Sequence, residues 1–130
     1  QALANTNFFE KGKKLFDEKK FEKSKIYFER DLVFNPKSEM SYLYLAKIFK
    51  NDENEVEEEF NLKTVILLNP KNEEAIYMLA LLKIKQSNYQ QAKELSEKFD
   101  LVCESLCLKK SDIKNKLENS IPDDEEIKEQ

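Results

Sequence analysis

The sequence of 130 residues contains no histidine, no tryptophan, one glycine and three prolines. Without histidine it lacks the commonest general base and metal ligand, and it has no glycine-rich phosphate loop. So little glycine and proline argues against a loop-rich or all-β fold. Arg30 is the only arginine and the net charge is −4, which disfavours nucleic acid as a partner. We therefore expect no enzyme activity, no cofactor and no metal site.

Long apolar runs are also missing, because no stretch of 18 apolar residues occurs, and we expect no membrane span. The two cysteines, Cys103 and Cys107, are four residues apart on a predicted helix. We interpret them as small, mostly buried apolar residues, since a disulfide within one regular helix needs awkward geometry. A zinc site is not expected without a histidine or a second cysteine pair.

The most informative feature that is present is a repeated dipeptide. Asn35-Pro36 and Asn69-Pro70 lie 34 residues apart, and each follows a strongly apolar helical stretch. The residue before a proline is disfavoured in the α conformation, so a helix should end at each site. A period of 34 residues is typical of helix–turn–helix repeats. The pattern predicts an all-α solenoid of antiparallel helix pairs, with about seven helices and a first turn near Lys19-Lys20.

The residues that recur at this period resemble the tetratricopeptide (TPR) repeat. The first unit reads Phe8, Lys11-Gly12, Leu15, Ser24, Phe28 and Pro36; the second reads Tyr42, Leu45-Ala46, Phe49, Glu58, Leu62 and Pro70; the third reads Ile76, Leu79-Ala80, Lys83, Ala92, Ser96 and Glu104. Glu58 stands where the family has a small residue, so the second helix of that unit is either shifted in register or loosely packed. Lys83, Ser96 and Glu104 also depart from the family pattern.

We expect a TPR-like domain over residues 5–119, with units at about 5–38, 39–72 and 73–110. Asn5 or Thr6 is expected to cap the first helix. Because Glu104 replaces the third proline, the last helix of the third unit is expected to run over about residues 89–109. A capping helix at about 112–119 should follow it. Residues 120–130 form an acidic tail or the start of a further helix or linker.

The resemblance also implies a binding surface, since the first helix of each TPR pair lines the concave side. We call the residues at those positions the predicted groove: Phe9, Lys13, Phe16, Met40, Leu43, Lys47, Lys50, Tyr77, Leu81 and Ile84. Such an apolar, lysine-edged surface should accept an amphipathic helix or peptide with apolar and acidic residues. The clamp of chaperone-binding TPR domains is not matched, because its positions hold Phe9, Lys13, Tyr44, Glu74 and Met78.

The sequence therefore predicts a non-catalytic scaffold for protein–protein interaction. A structural alternative is self-association, or docking within a larger protein, for which a bacterial-envelope protein is one option. A third is an accessory segment fused to an enzyme. The chain begins at Gln1 rather than methionine, which we interpret as a fragment or a processed form. Localisation is not determined: the cytoplasm is the default, and the periplasm or envelope is the alternative.

Overall fold

A computed structural model describes residues 7–122, and this part of the chain contains seven α-helices and no strand. The helices are α1 (Asn7–Asp17), α2 (Phe21–Phe34), α3 (Glu39–Asn51), α4 (Glu55–Leu68), α5 (Glu73–Lys85), α6 (Tyr89–Val102) and α7 (Lys110–Ser120). They belong to two compact units, Gln1–Pro70 and Lys71–Gln130. The all-α fold predicted from the sequence is confirmed. No helix among the described residues is long and apolar enough to cross a membrane.

The turn inside each helix pair repeats at the 34-residue period. Lys19, Glu53 and Ser87 have φ angles of 62°, 57° and 59°, the left-handed conformation that commonly ends helices. The next residue then donates its N–H five residues back: Lys20 to Leu15 (2.9 Å), Asn54 to Phe49 (2.9 Å) and Asn88 to Lys83 (2.8 Å). The first turn therefore falls at Lys19-Lys20, as the sequence predicted.

Small residues allow the two helices of the first pair to approach closely. Ser24 on α2 donates a 2.7 Å hydrogen bond to the carbonyl oxygen of Gly12 on α1, and both residues are buried. The ring of Phe28, fully buried, covers Gly12. A glycine inside a helix is less stable than an alanine there, and the close packing against an aromatic ring explains why Gly12 is present. In the second pair Ala46 and Glu58 occupy the corresponding positions, and Glu58 is buried there.

Helix ends follow the sequence signals in the first unit. The N-cap side chains of Ser38 and Asn54 accept the N–H groups of Ser41 and Glu57 at 3.3 and 3.2 Å, which satisfies one exposed donor of each helix. The helices α2 and α4 stop at Phe34 and Leu68, just before the two Asn-Pro dipeptides. The predicted cap at Asn5 or Thr6 and the predicted structure of residues 123–130 lie outside the described residues.

The second unit corrects two of our expectations about the segment after α6. The helix ends at Val102 rather than near residue 109, and the short 3₁₀ helix Cys107–Lys109 leads into α7. Cys103 and Cys107 lie in this connection, half-buried, and form a disulfide with Cα atoms 5.2 Å apart. The regular-helix geometry that disfavoured a disulfide is absent here, because the chain has already left the helix.

The carboxylate of Glu73 is the physical reason for this early helix end. It accepts the N–H groups of Glu104 (2.9 Å), Ser105 (3.1 Å) and Leu106 (2.8 Å). These three donors would bond to carbonyls of α6 if that helix continued. A charged acceptor forms stronger hydrogen bonds than a neutral carbonyl, so the loop is favoured over the helix. Glu104 therefore replaces the expected proline without extending the helix.

Candidate partner-binding surface

In the first unit the predicted groove residues belong to α1 and α3, and three of them surround Tyr44. The ring of Tyr44 lies 5.8 Å from that of Phe9 and 5.0 Å from that of Phe16, both edge-on. The Nζ atom of Lys47 lies 5.0 Å from the Tyr44 ring centroid, a cation–π contact. We call Phe9, Phe16, Tyr44 and Lys47 the Tyr44 cluster. Its aromatic members are half-buried, so each of these residues remains partly accessible to solvent.

The remaining groove residues of this unit differ in accessibility. Met40 is 41% exposed, and Lys13 and Lys50 are also exposed. Leu43, however, is only 1% exposed and belongs to the core. On α3 the accessible face is made by Met40, Tyr44 and Lys47, which are four and three residues apart and so share one side of a helix.

A cleft of about 680 Å³ opens beside Phe9 at the edge of the Tyr44 cluster. Its lining residues are Phe9, Glu10, Asp31, Phe34, Asn35, Pro36, Lys37 and Ser38. The buried Asp31 carboxylate in its wall accepts hydrogen bonds from the Ser41 hydroxyl (2.6 Å) and the Asn35 amide (2.9 Å). The cleft thus combines an apolar side, formed by Phe9 and the half-exposed Phe34, with a fixed polar wall.

In the second unit the predicted groove residues Tyr77, Leu81 and Ile84 lie on α5, and the first of them is engaged by the C-terminal segment. The Tyr77 hydroxyl donates a 2.5 Å hydrogen bond to Asp112 on α7, and Lys109 Nζ lies 5.6 Å from the ring centroid. Leu81 is half-buried and Ile84 is buried. Any partner that used Tyr77 would compete with α7 for its hydroxyl.

These contacts change the acidity of both groups. Burial, followed by the hydrogen bond to Asp112, raises the pKa of Tyr77 to about 12, because both disfavour the phenolate. The Lys116 ammonium, followed by the Tyr77 hydroxyl, lowers the pKa of Asp112. Asp112 is therefore an anion at neutral pH, and its charge orients the Tyr77 hydroxyl.

Sequence reasoning missed Tyr44, Asp31 and Phe34 as members of this surface. Tyr44 could have been found, because its spacing from Met40 and Lys47 places all three on one helical face. Asp31 gave no signal, since a charged residue on α2 is expected at the surface rather than buried. Among residues 7–122, no group of three or more histidine, cysteine, aspartate or glutamate residues is placed to hold a metal ion.

Comparison with known proteins relates this arrangement to solved structures rather than to sequences. No protein-family model matches the chain, and no curated protein matches it. The TPR domain of Arabidopsis OM64 is similar, with a TM-score of 0.80, 17% identity, and coverage of 91% of this chain and 97% of that one.

Two further structures are similar over most of this chain. The Sgt2 TPR domain from Aspergillus fumigatus has a TM-score of 0.70 and 16% identity, with coverage of 90% of this chain and 76% of that one. A chain of the CopN-Scc3 complex has a TM-score of 0.73 and 14% identity, with coverage of 92% and 70%. The 34-residue period, the repeated turns and these structural similarities together show that the chain has the TPR fold.

Proposed function

We propose that this chain is a non-catalytic protein-binding module, and that the Tyr44 cluster with Met40 receives an amphipathic helix or extended peptide of another protein. The observation that carries the proposal is the partly accessible aromatic cluster on α1 and α3. Half-buried rings of Phe9, Phe16 and Tyr44 are held in place by one another and by Phe28, which stacks on Tyr44 at 5.0 Å. Rigid aromatic rings give contact area at low entropic cost, as is common in binding hot spots.

The charge around the cluster specifies the partner further. Lys13 and Lys50 are exposed on the same two helices, and Lys47 lies over Tyr44. Acidic side chains flanking the apolar anchors of a partner would face these ammonium groups, which favours encounter and orientation more than affinity. Binding should therefore weaken as the salt concentration rises.

A capture experiment from the native lysate tests this proposal. Wild type is compared with Met40→Glu/Lys47→Glu, which places two acids on the accessible face of α3. The matched control is Leu101→Glu/Lys23→Glu, which makes the same changes in charge at exposed positions elsewhere. Circular dichroism confirms that each variant is folded. Synthetic peptides that together span the sequence of the captured protein are then made. Their affinity for wild type and for each variant is measured by calorimetry.

A peptide bound by wild type and by the control, and bound at least about tenfold more weakly by the α3 variant, would support the proposal. Equal binding by all three proteins would contradict it. The fold of the three similar structures favours a binding role over catalysis, and the CopN-Scc3 structure is itself a complex. For the second unit we propose separately that Tyr77 and Leu81 on α5 contact a partner, and Leu81→Glu tests this in the same assay.

A further inference from the structure

The helix α4 has an exposed apolar stripe that the proposed peptide surface does not use. Val56, Phe60 and Leu67 are 78%, 61% and 81% exposed. They are four and seven residues apart, and Lys63 fills the intermediate position, so all four share one face of the helix. The opposite face already supplies Leu62 and Val65 to the core. The helix is therefore apolar on two sides.

The stripe on α4 consists of several large apolar side chains rather than one. Isolated exposed apolar residues are normal on protein surfaces, but three large ones on one helical face form a patch, and such patches mark interaction sites. The position of Leu67 is also apolar one repeat earlier, at Val33, and one repeat later, at Leu101. All three residues are exposed. The position of Phe60 is likewise apolar one repeat earlier, at Ile26.

We propose that α4 associates with α4 of a second copy of this chain, as an antiparallel pair about a two-fold axis between Phe60 and Lys63. The order Val56–Phe60–Lys63–Leu67 is complementary to itself when it is reversed. Each Val56 then meets Leu67 of the second copy, and each Lys63 ammonium meets the face of Phe60, a cation–π contact. One such interface closes on itself and gives a dimer rather than a filament.

The charges on α4 favour the antiparallel orientation over a parallel one. The first turns carry Glu55, Glu57, Glu58 and Glu59, whereas Lys63 lies beyond the middle of the helix. A parallel pair would place the two glutamate-rich ends side by side and the two Lys63 residues side by side. Like charges that lie next to each other repel. An antiparallel pair separates the glutamates. Lys63 also forms a 2.8 Å ion pair with Glu59, and because the lysine side chain is 58% exposed, this pair competes only weakly for it.

A stripe on one helix buries less area than a standard interface, so the dimer should be weak and dependent on concentration. Sedimentation equilibrium from the low micromolar to the submillimolar range measures it. Wild type should shift from monomer to dimer across this range. Phe60→Glu and Leu67→Glu should each weaken association by at least about tenfold. Leu101→Glu is the matched control, because it alters an equally exposed leucine at the same repeat position, and it should leave association unchanged.

A double variant tests the antiparallel orientation of the two α4 helices. In Phe60→Lys/Lys63→Glu, an antiparallel pair would place each new lysine opposite a new glutamate and restore association, whereas Phe60→Lys alone should abolish it. A protein that stays monomeric throughout the range would overturn the proposal. Association that survives Phe60→Glu and Leu67→Glu would overturn it too, as would a monomer whose α4 stripe instead binds a different protein. Failure here leaves the α3 capture experiment unaffected, because the two surfaces share no residue.

Discussion

Gly12 and Phe28 meet so closely that a methyl group added to Gly12 would lie 2.9 Å from Cε1 of the Phe28 ring. Alanine at this mid-helix position would gain roughly 1 kcal/mol of helix propensity. The ring is fully buried and cannot move away without disturbing its neighbours Phe9 and Tyr44. We therefore expect Gly12→Ala to lower the free energy of unfolding by about 1–3 kcal/mol, the usual cost of overpacking a core.

Urea denaturation followed by circular dichroism measures this change. In a Phe28→Leu background the same Gly12→Ala substitution should cost less, because leucine leaves room for the methyl group, and the two effects should be non-additive. Lys13→Ala at the neighbouring exposed position is the control, with an expected change within about 0.5 kcal/mol. A fully additive pair would show that Phe28 is not the residue that requires the glycine.

The buried Asp31 offers a second prediction, because the chain itself contains an apolar alternative. Asp31 accepts from Ser41 and Asn35, while one repeat later the positions of Asp31 and Ser41 hold Val65 and Ala75. Asp31→Ala leaves the Ser41 hydroxyl without its acceptor and should cost about 1–3 kcal/mol. Asp31→Val/Ser41→Ala copies the later repeat and should recover most of that loss. A double variant as unstable as Asp31→Ala would show that the carboxylate itself is required.

The repeated left-handed turns predict a stabilising substitution. Glu53 has a φ of 57°, a conformation that costs a residue with a Cβ about 1 kcal/mol or more. Glycine avoids this strain but makes the unfolded chain more flexible. We expect Glu53→Gly to raise the free energy of unfolding by about 0.5 kcal/mol, the difference of the two effects. Glu29→Gly, in the exposed middle of α2, should lower it by about 1 kcal/mol. Thermal unfolding of both variants tests the difference, and a loss of stability in Glu53→Gly would contradict it.

The sequence predicted the fold because its strongest signals are local and repeated. Pro36 and Pro70 end helices through their own covalent geometry, and the small residues from Gly12 to Ala80 recur at the spacing that close helix packing requires. The end of α6 could not be predicted in this way. It depends on Glu73, about 30 residues earlier, whose carboxylate binds N–H groups that no local signal marks.

The predicted groove was harder to infer than the fold for a similar reason. Which side of α3 is accessible depends on packing, and Leu43 faces the core while Tyr44 remains at the surface. A shift of one residue along a helix turns a side chain by about 100°. The family pattern therefore predicts a helix for the proposed surface, and the packing determines which of its residues are accessible.

The hydrogen bonds of Glu73 should make the second unit less stable as the pH falls into the acid range. The N–H groups of Glu104 and then Leu106 lower its pKa in the folded chain, relative to 4.5 when it is unfolded. A lowered folded pKa contributes stability that is fully present above about pH 4.5 and is lost as the pH falls through the folded value. We expect Glu73→Gln to be less stable than wild type at neutral pH, with the difference disappearing in acid.

Urea denaturation at several pH values between neutrality and the acid limit tests this dependence. Glu97→Gln, which removes one exposed carboxylate from α6, is the control for net charge. Hydrogen exchange of the Glu104, Ser105 and Leu106 amides gives a local measure, and these amides should exchange faster in Glu73→Gln. Unchanged exchange would mean that the carboxylate does not hold the loop.

Tyr77 should make the same unit sensitive to alkali, with the opposite sign. Its pKa of about 12 lies above the ordinary value of 10.0, chiefly because of burial and then because of Asp112. A raised folded pKa contributes stability that is fully present below about pH 10 and is lost as the pH rises through 12. Spectrophotometric titration of wild type should show the ionisation of Tyr77 near pH 12, and this step should be missing in Tyr77→Phe. Asp112→Asn should lower the pKa of Tyr77 only in part, since burial remains, whereas a full return to 10.0 would make Asp112 the main cause.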